Sequence, residues 1–264
     1  MVENTKFIDK NKNVVHLEGV QALKKLGEML TEPIPGPKHF AQAIQYWRFI
    51  VAFGMNAIAE NQFLPLVRCW DAMRTQFGKN FDDGVFLEAC VLADFRFGPE
   101  QKSFIERFDA VIGNQPDCQP VRDFADKFAK TRLGLYQITS ATKNRVLLKE
   151  LFTGRAVSVM NTVDQFGAGE IWLVRLLEVE GDTMIFGDPK GWPASYLGHI
   201  EDMVRDKMFI YGFDTGQFHK GARPSEATGY EGFMKITGPY WMSIVASDDP
   251  NDEILAPDYF KQIQ

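Results

Sequence analysis

Cysteine is scarce: Cys69, Cys90 and Cys118 are the only three in 264 residues. Their odd number and wide spacing exclude a disulfide framework and a paired-thiolate zinc site, and suit a reducing compartment. Histidine is almost as rare. His16, His39, His199 and His219 are too scattered for the short spacings that metal sites use, so no metal and no cofactor is expected. No apolar run approaches the roughly 18–20 residues a membrane span needs. The longest, residues 49–59, is bounded by Arg48 and Glu60 and reads as a buried helix. The first twelve residues are polar and lack the apolar core and small-residue cleavage site of a secretory signal, so a cytoplasmic location is expected. A basic excess is also missing. Lysine and arginine number 29 against 35 acidic residues, a net charge of −6, which argues against a broad electrostatic grip on nucleic acid or anionic lipid.

What is present is an ordinary globular composition, 45% hydrophobic and 13% aromatic. At about 100–200 residues per domain, the length allows two modest domains with cores of their own. In the first half, apolar residues recur at three- and four-residue steps. Leu17, Val20, Leu23, Leu26, Met29 and Leu30 form one stripe, which Pro33, Pro35 and Pro37 end. A long helix is predicted over 39–60 on Phe40, Ile44, Trp47, Ile50, Val51 and Met55. Another covers 62–77, with Pro65 in its first turn, and a fourth, capped by Asp82 or Asp83, carries Phe86, Leu87, Cys90, Val91 and Phe95. Two more rest on Phe104 to Ile112 and on Val121, Phe124, Phe128 and Leu133, with 113–120 as their link and Cys118 as an exposed loop thiol.

At 132–134 the period changes to two. Residues 134–264 carry 12 basic and 18 acidic side chains, while 1–133 balance at 17 each. A strand is predicted over 135–139. A hairpin follows over 146–160 around Thr153-Gly154-Arg155, and a second over 171–186 around Glu180-Gly181-Asp182. Gly187-Asp188-Pro189-Lys190-Gly191 reads as the turn after the last strand, 193–206 as a helix packed on the sheet, 209–213 and 240–245 as extended, and 214–232 as loop. The fold class is therefore α+β: a helical bundle or array over 1–133, then a small curled β-sheet or barrel with an added helix over 134–264.

Three stretches in order, Ala93-Asp94-Phe95-Arg96-Phe97-Gly98 before Phe104-Ile105-Glu106-Arg107-Phe108, then Thr131-Arg132-Leu133-Gly134-Leu135-Tyr136-Gln137-Ile138, then Leu148-Lys149-Glu150-Leu151-Phe152-Thr153-Gly154-Arg155 with Gly169 to Leu177, carry a likeness. Together, over residues 86–192, they resemble the helical-plus-small-barrel region of bacterial SEC-C-type proteins. The resemblance implies an architecture suited to interaction. The cysteine-rich metal knuckle that defines that family is absent, since no cysteine follows Cys118, so neither its zinc nor its partner recognition carries over.

Arg132, Arg155 and Arg175 lie at or within the predicted barrel. Each could hold an anion through its guanidinium fork, with structural ion pairs as the competing role. Trp192, between Gly191 and Pro193, fits no periodic apolar face and is the candidate for a binding surface, with packing over the mouth of the sheet as its alternative. Asp188, Ser195 and His199 lie close in sequence but lack a Gly-x-Ser-x-Gly frame. The function expected is a non-catalytic cytosolic adaptor or binding module for another protein. The alternative is a small-molecule enzyme, a hydrolase using Asp188, Ser195 and His199, with its cleft between the domains. Nucleic-acid binding is disfavoured by the acidic half, and a small-molecule ligand remains compatible.

Overall fold

The computed structural model describes residues 38–59, 63–77, 84–112, 118–160, 167–210, 230, 232–234 and 241. The predicted stripe over 17–30, its proline stop, the link at 113–117, nearly all of 211–232 and the acidic tail lie outside the described residues, as does 240–245 apart from Trp241. The chain is α+β. It divides into two compact units that part between Lys130 and Thr131, with residues 79–87 grouped with the second.

The first unit is helical. Helix α1 (Lys38–Ala59) buries Phe40, Ala43, Trp47 and Ile50, spaced three and four apart, which is the pattern that puts one face into a core. Helix α2 (Leu64–Phe77) has Pro65 in its first turn, where a missing amide costs little. Helix α3 (Gly84–Ala89), of which residues 84–87 are grouped with the second unit, runs into a wider π-helical turn over Cys90–Asp94. That turn closes with the amide of Phe95 donating to the carbonyl of Cys90 at 2.8 Å, and all five of its residues are buried. A short 3-10 turn, Ile105–Arg107, leads into α4 (Phe108–Ile112), and α5 is Gln119–Ala129. Aromatic rings fill the centre: Trp47 stacks on Phe128 at 4.5 Å, and Phe53 meets Phe108 edge-on at 6.0 Å. Cys90 is core, as its period suggests. Cys118 is also buried, contrary to the expectation of a loop thiol, because it is the residue from which α5 starts and Pro120 lies inside that helix.

The second unit is a five-stranded antiparallel sheet in the order β3-β2-β1-β4-β5. Its strands are β1 (Leu133–Ala141), β2 (Arg145–Glu150), β3 (Ala156–Met160), β4 (Ile171–Val179) and β5 (Asp182–Trp192). Both predicted hairpins form. The β2–β3 turn carries Gly154 at φ 68°, and the β4–β5 turn carries Gly181 at φ 85°, backbone regions that cost glycine nothing. The inner face is an apolar cluster of Tyr136, Ile138, Val146, Leu148, Val159, Trp172, Val174 and Ile185. The sheet curls until β3 and β5 approach each other, but no ladder joins them, so it is a curled open sheet and not a closed barrel.

Two expectations are corrected. The stretch at 187–191 is not a turn after the last strand. It continues β5, with Phe186 opposite Arg175 and Lys190 opposite Leu173, so the extra residues between them form a bulge with Gly187 at φ 82°. Phe209 and Ile210 are not extended. They end α6 (Leu197–Ile210), which follows a 3-10 turn at Ala194–Tyr196 and buries Ile200, Val204 and Met208.

Candidate functional site

The strongest concentration of polar chemistry in the second unit is at the end of the sheet where β1 begins and β2 ends. Strand β2 alternates, with Arg145, Leu147 and Lys149 exposed and Val146, Leu148 and Glu150 buried. Glu150 thus takes an inward position that the pattern reserves for an apolar side chain, and it is only 1% exposed. A carboxylate there is tolerable only with charged and hydrogen-bonding partners. Arg132 supplies the charge, its Nη1 donating to Glu150 Oε1 at 2.7 Å. The Thr153 hydroxyl donates to Oε2, and the Tyr136 hydroxyl also donates to the carboxylate.

Local backbone explains the convergence. Tyr136 lies opposite Glu150 in the β1–β2 register, so both project from the same face. Thr153 sits in the turn after β2, where the Gly154 amide closes on the Glu150 carbonyl at 2.9 Å. Gly134 makes the space: a Cβ there would lie 2.6 Å from the Tyr136 ring and 3.0 Å from Glu150 Oε1. Tyr230 caps the group. Its hydroxyl accepts the Leu135 amide at 3.1 Å, its ring packs on Phe152 at 4.6 Å, and the Arg132 guanidinium lies over it at 5.4 Å.

Electrostatics hold the two tyrosines and the arginine of this cluster each in one protonation state. Burial first, then the charge of Glu150, pushes the Tyr136 and Tyr230 phenols well above their ordinary range, so both remain hydroxyls. Burial works against the charge on Arg132, but its bond to Glu150 and the attraction of that carboxylate outweigh it, so the guanidinium is held more firmly protonated. None of these groups is set up to give or take a proton near neutrality. The arrangement is a satisfied ion pair that pins β1, β2 and Tyr230 together.

The four residues singled out from the sequence are placed differently. Arg132 is committed to Glu150. Arg155 is exposed beside the same cluster, its amide bonded to Thr153 Oγ1 at 3.2 Å and its charge felt by Tyr136. Arg175 is buried on the other face of β4, donating to Thr131 Oγ1 at 3.0 Å. Trp192 is 4% exposed, and its indole N–H finds no acceptor among the described residues. It closes β5 opposite Ile171, so it packs as a strand residue. Ser195 is exposed in the turn before α6, and His199 is exposed on that helix. The side chain of Asp188 is outside the described residues.

Sequence reasoning missed Glu150, Tyr136, Thr153 and Tyr230. A signal for Glu150 existed, since a carboxylate in phase with Val146 and Leu148 calls for a buried cation. Nothing in the sequence points to Tyr230. Among the described residues no group of His, Cys, Asp and Glu could hold a metal ion, and no helix is long and apolar enough to cross a membrane.

Outside the cluster, the sheet is covered unevenly. On the outer face, β1, β4 and β5 bury Leu133, Leu135, Leu173, Leu177, Phe186 and Trp192, whereas β2 and β3 leave Arg145, Leu147, Lys149, Ala156 and Ser158 exposed. Comparison with known proteins finds no matching family model, no matching curated protein and no matching solved structure.

Proposed function

We propose that this chain is a non-catalytic binding module for another protein, acting as a cytosolic adaptor through its sheet unit. The observation that carries this reading is the uneven cover of the sheet. Three strands are buried on both faces, but the β2–β3 hairpin keeps its outer face open, with Leu147 at 39% exposure in its middle. One exposed leucine is ordinary on a surface. Its position at the centre of a rigid strand face, rimmed by polar and charged side chains, matches the apolar centre and polar rim of a protein interface. The likeness to SEC-C-type proteins supports the same reading. The segments that carry it, 131–138 and 148–155, hold Arg132, Gly134, Tyr136, Glu150, Thr153 and Gly154, the residues that fix this hairpin to the sheet.

The test is affinity capture by the tagged full-length chain from lysate of its native organism, at low and moderate salt, with mass spectrometry of what is retained. A stoichiometric protein partner that survives moderate salt is expected. A blank at both salts overturns the binding-module reading.

A further inference from the structure

The exposed hairpin face has a charge opposite to that of the molecule. Residues 131–160 contain five basic side chains, Arg132, Lys143, Arg145, Lys149 and Arg155, against one acidic, Glu150, in a chain whose net charge is −6. Glu150 faces inward and is spent on Arg132. On the exposed side, Asp182 holds Arg145 at 2.7 Å, so among the described residues the unpaired charge of the face itself is Lys149, with Lys143 and Arg155 exposed in the turns that flank β2. Leu147 lies two residues from Lys149 on the same face of β2, beside Ser158 and Ser140 on its neighbours.

We propose that this face docks an acidic segment of a partner protein in which an apolar side chain is flanked by carboxylates. This deepens the binding-module reading above and rests on it. An extended segment repeats every second residue on one side. A pattern of acid, any residue, apolar residue, any residue, acid would therefore set its apolar side chain on Leu147 and its carboxylates toward Lys149 and toward Arg145, where the partner's acid would share the guanidinium with Asp182. Complementary charge of this kind steers encounter and fixes register more than it adds affinity, while contact with Leu147 supplies the dehydrated centre. A nucleic acid fits less well. Single-strand binding without base pairing relies on exposed aromatic platforms, and the sheet's Tyr136, Trp172, Phe186 and Trp192 are all buried, leaving no aromatic on this face among the described residues.

The experiment is fluorescence anisotropy with the full chain and three labelled probes: a peptide repeating Glu-Ser-Leu-Ser-Glu, a scramble of the same composition, and a single-stranded RNA oligonucleotide, each at low and moderate salt. The patterned peptide is expected to bind best, and its affinity to fall with salt. Lys149→Glu should weaken it at least tenfold and Leu147→Ala severalfold. Lys127→Glu, an exposed charge on α5, should leave it unchanged. All these positions are exposed, so circular dichroism should show every variant folded. Binding indifferent to Lys149 or to Leu147, equal binding of the scramble, preferential binding of RNA, or no binding of any probe overturns the proposal. The two readings fail separately: a lysate partner retained equally by the wild type and Lys149→Glu removes this surface and leaves the binding module standing.

Discussion

Glu150 concentrates the energetics of the sheet unit in one side chain. An ionised carboxylate in an apolar interior is affordable only when its partners recover the lost hydration, and here Arg132, Thr153 and Tyr136 do so together. Removing one partner is worse than never having built the pair, because the survivor stays buried and uncompensated. Arg132→Met is therefore expected to lower stability by about 3–5 kcal/mol. Glu150→Gln keeps the shape and can still accept from Tyr136 and Thr153. Combined with Arg132→Met, it should cost clearly less than the two single changes added. Urea denaturation of the wild type, both single variants and the double variant measures this coupling, and additive losses would refute the ion-pair account. Arg132 was legible as a basic residue at the barrel edge. Its partner was not, because a strand pattern marks Glu150 as inward without naming the cation 18 residues earlier.

At the scale of elements, local chemistry decided how much could be read in advance. The period of two at 135–139 and the glycine-bearing turns at 153–155 and 180–182 between apolar runs place the strands, although 171–179 is an almost continuous apolar run buried on both faces. The last strand was obscured because its bulge carries Gly187, Pro189 and Gly191, residues that ordinarily punctuate turns. Once the bulge is passed, Trp192 resumes the alternation and becomes core. In the helical unit, Ser103 and Glu106 form a reciprocal cap at the 3-10 turn. The Ser103 amide donates to Glu106 Oε2 at 2.8 Å, the Glu106 amide reaches back to Ser103 Oγ at 3.4 Å, and Arg96 pairs with the same carboxylate at 2.8 Å. Burial raises the pKa of Glu106, but the Ser103 bonds and the Arg96 charge outweigh it and hold the group below its ordinary value of 4.5. A depressed pKa contributes stability that is present above the unfolded value and lost as pH falls through the folded one. Glu88 runs the other way, raised by burial, so its contribution is greatest in acid and fades as pH rises through the raised value. Glu106→Gln should cost about 1 kcal/mol at neutral pH, and that cost should vanish once the solution is acidified below the ordinary carboxylate range. The difference between wild type and Glu88→Gln should shift oppositely. Denaturant titrations of both variants from neutral to acid pH check the two signs, and parallel profiles would contradict them.

For the whole molecule, the change of period from helical to alternating near residue 133 reflects two sets of core side chains. One is aromatic and helical, around Trp47, Phe108 and Phe128. The other is aliphatic and strand-borne, around Ile138, Val146, Leu148 and Val159. Each set is drawn from one unit only, so a defect in one core should be felt first by that unit's own backbone hydrogen bonds. Leu148 is fully buried at the middle of the sheet's inner face, and Leu148→Ala is expected to cost about 2–5 kcal/mol through lost burial and the cavity left behind. Native-state hydrogen exchange resolves where that loss appears, because amides report the opening of their own cooperative segment. Protection of the amides in β1 to β5 should fall by the full destabilisation, and that of α1, α2 and α5 by much less. The reciprocal change, Trp47→Ala, should reverse the pattern. If both substitutions lower protection equally throughout the chain, the two cores open as one cooperative block, and the change of period marks a change of architecture without a change of folding unit.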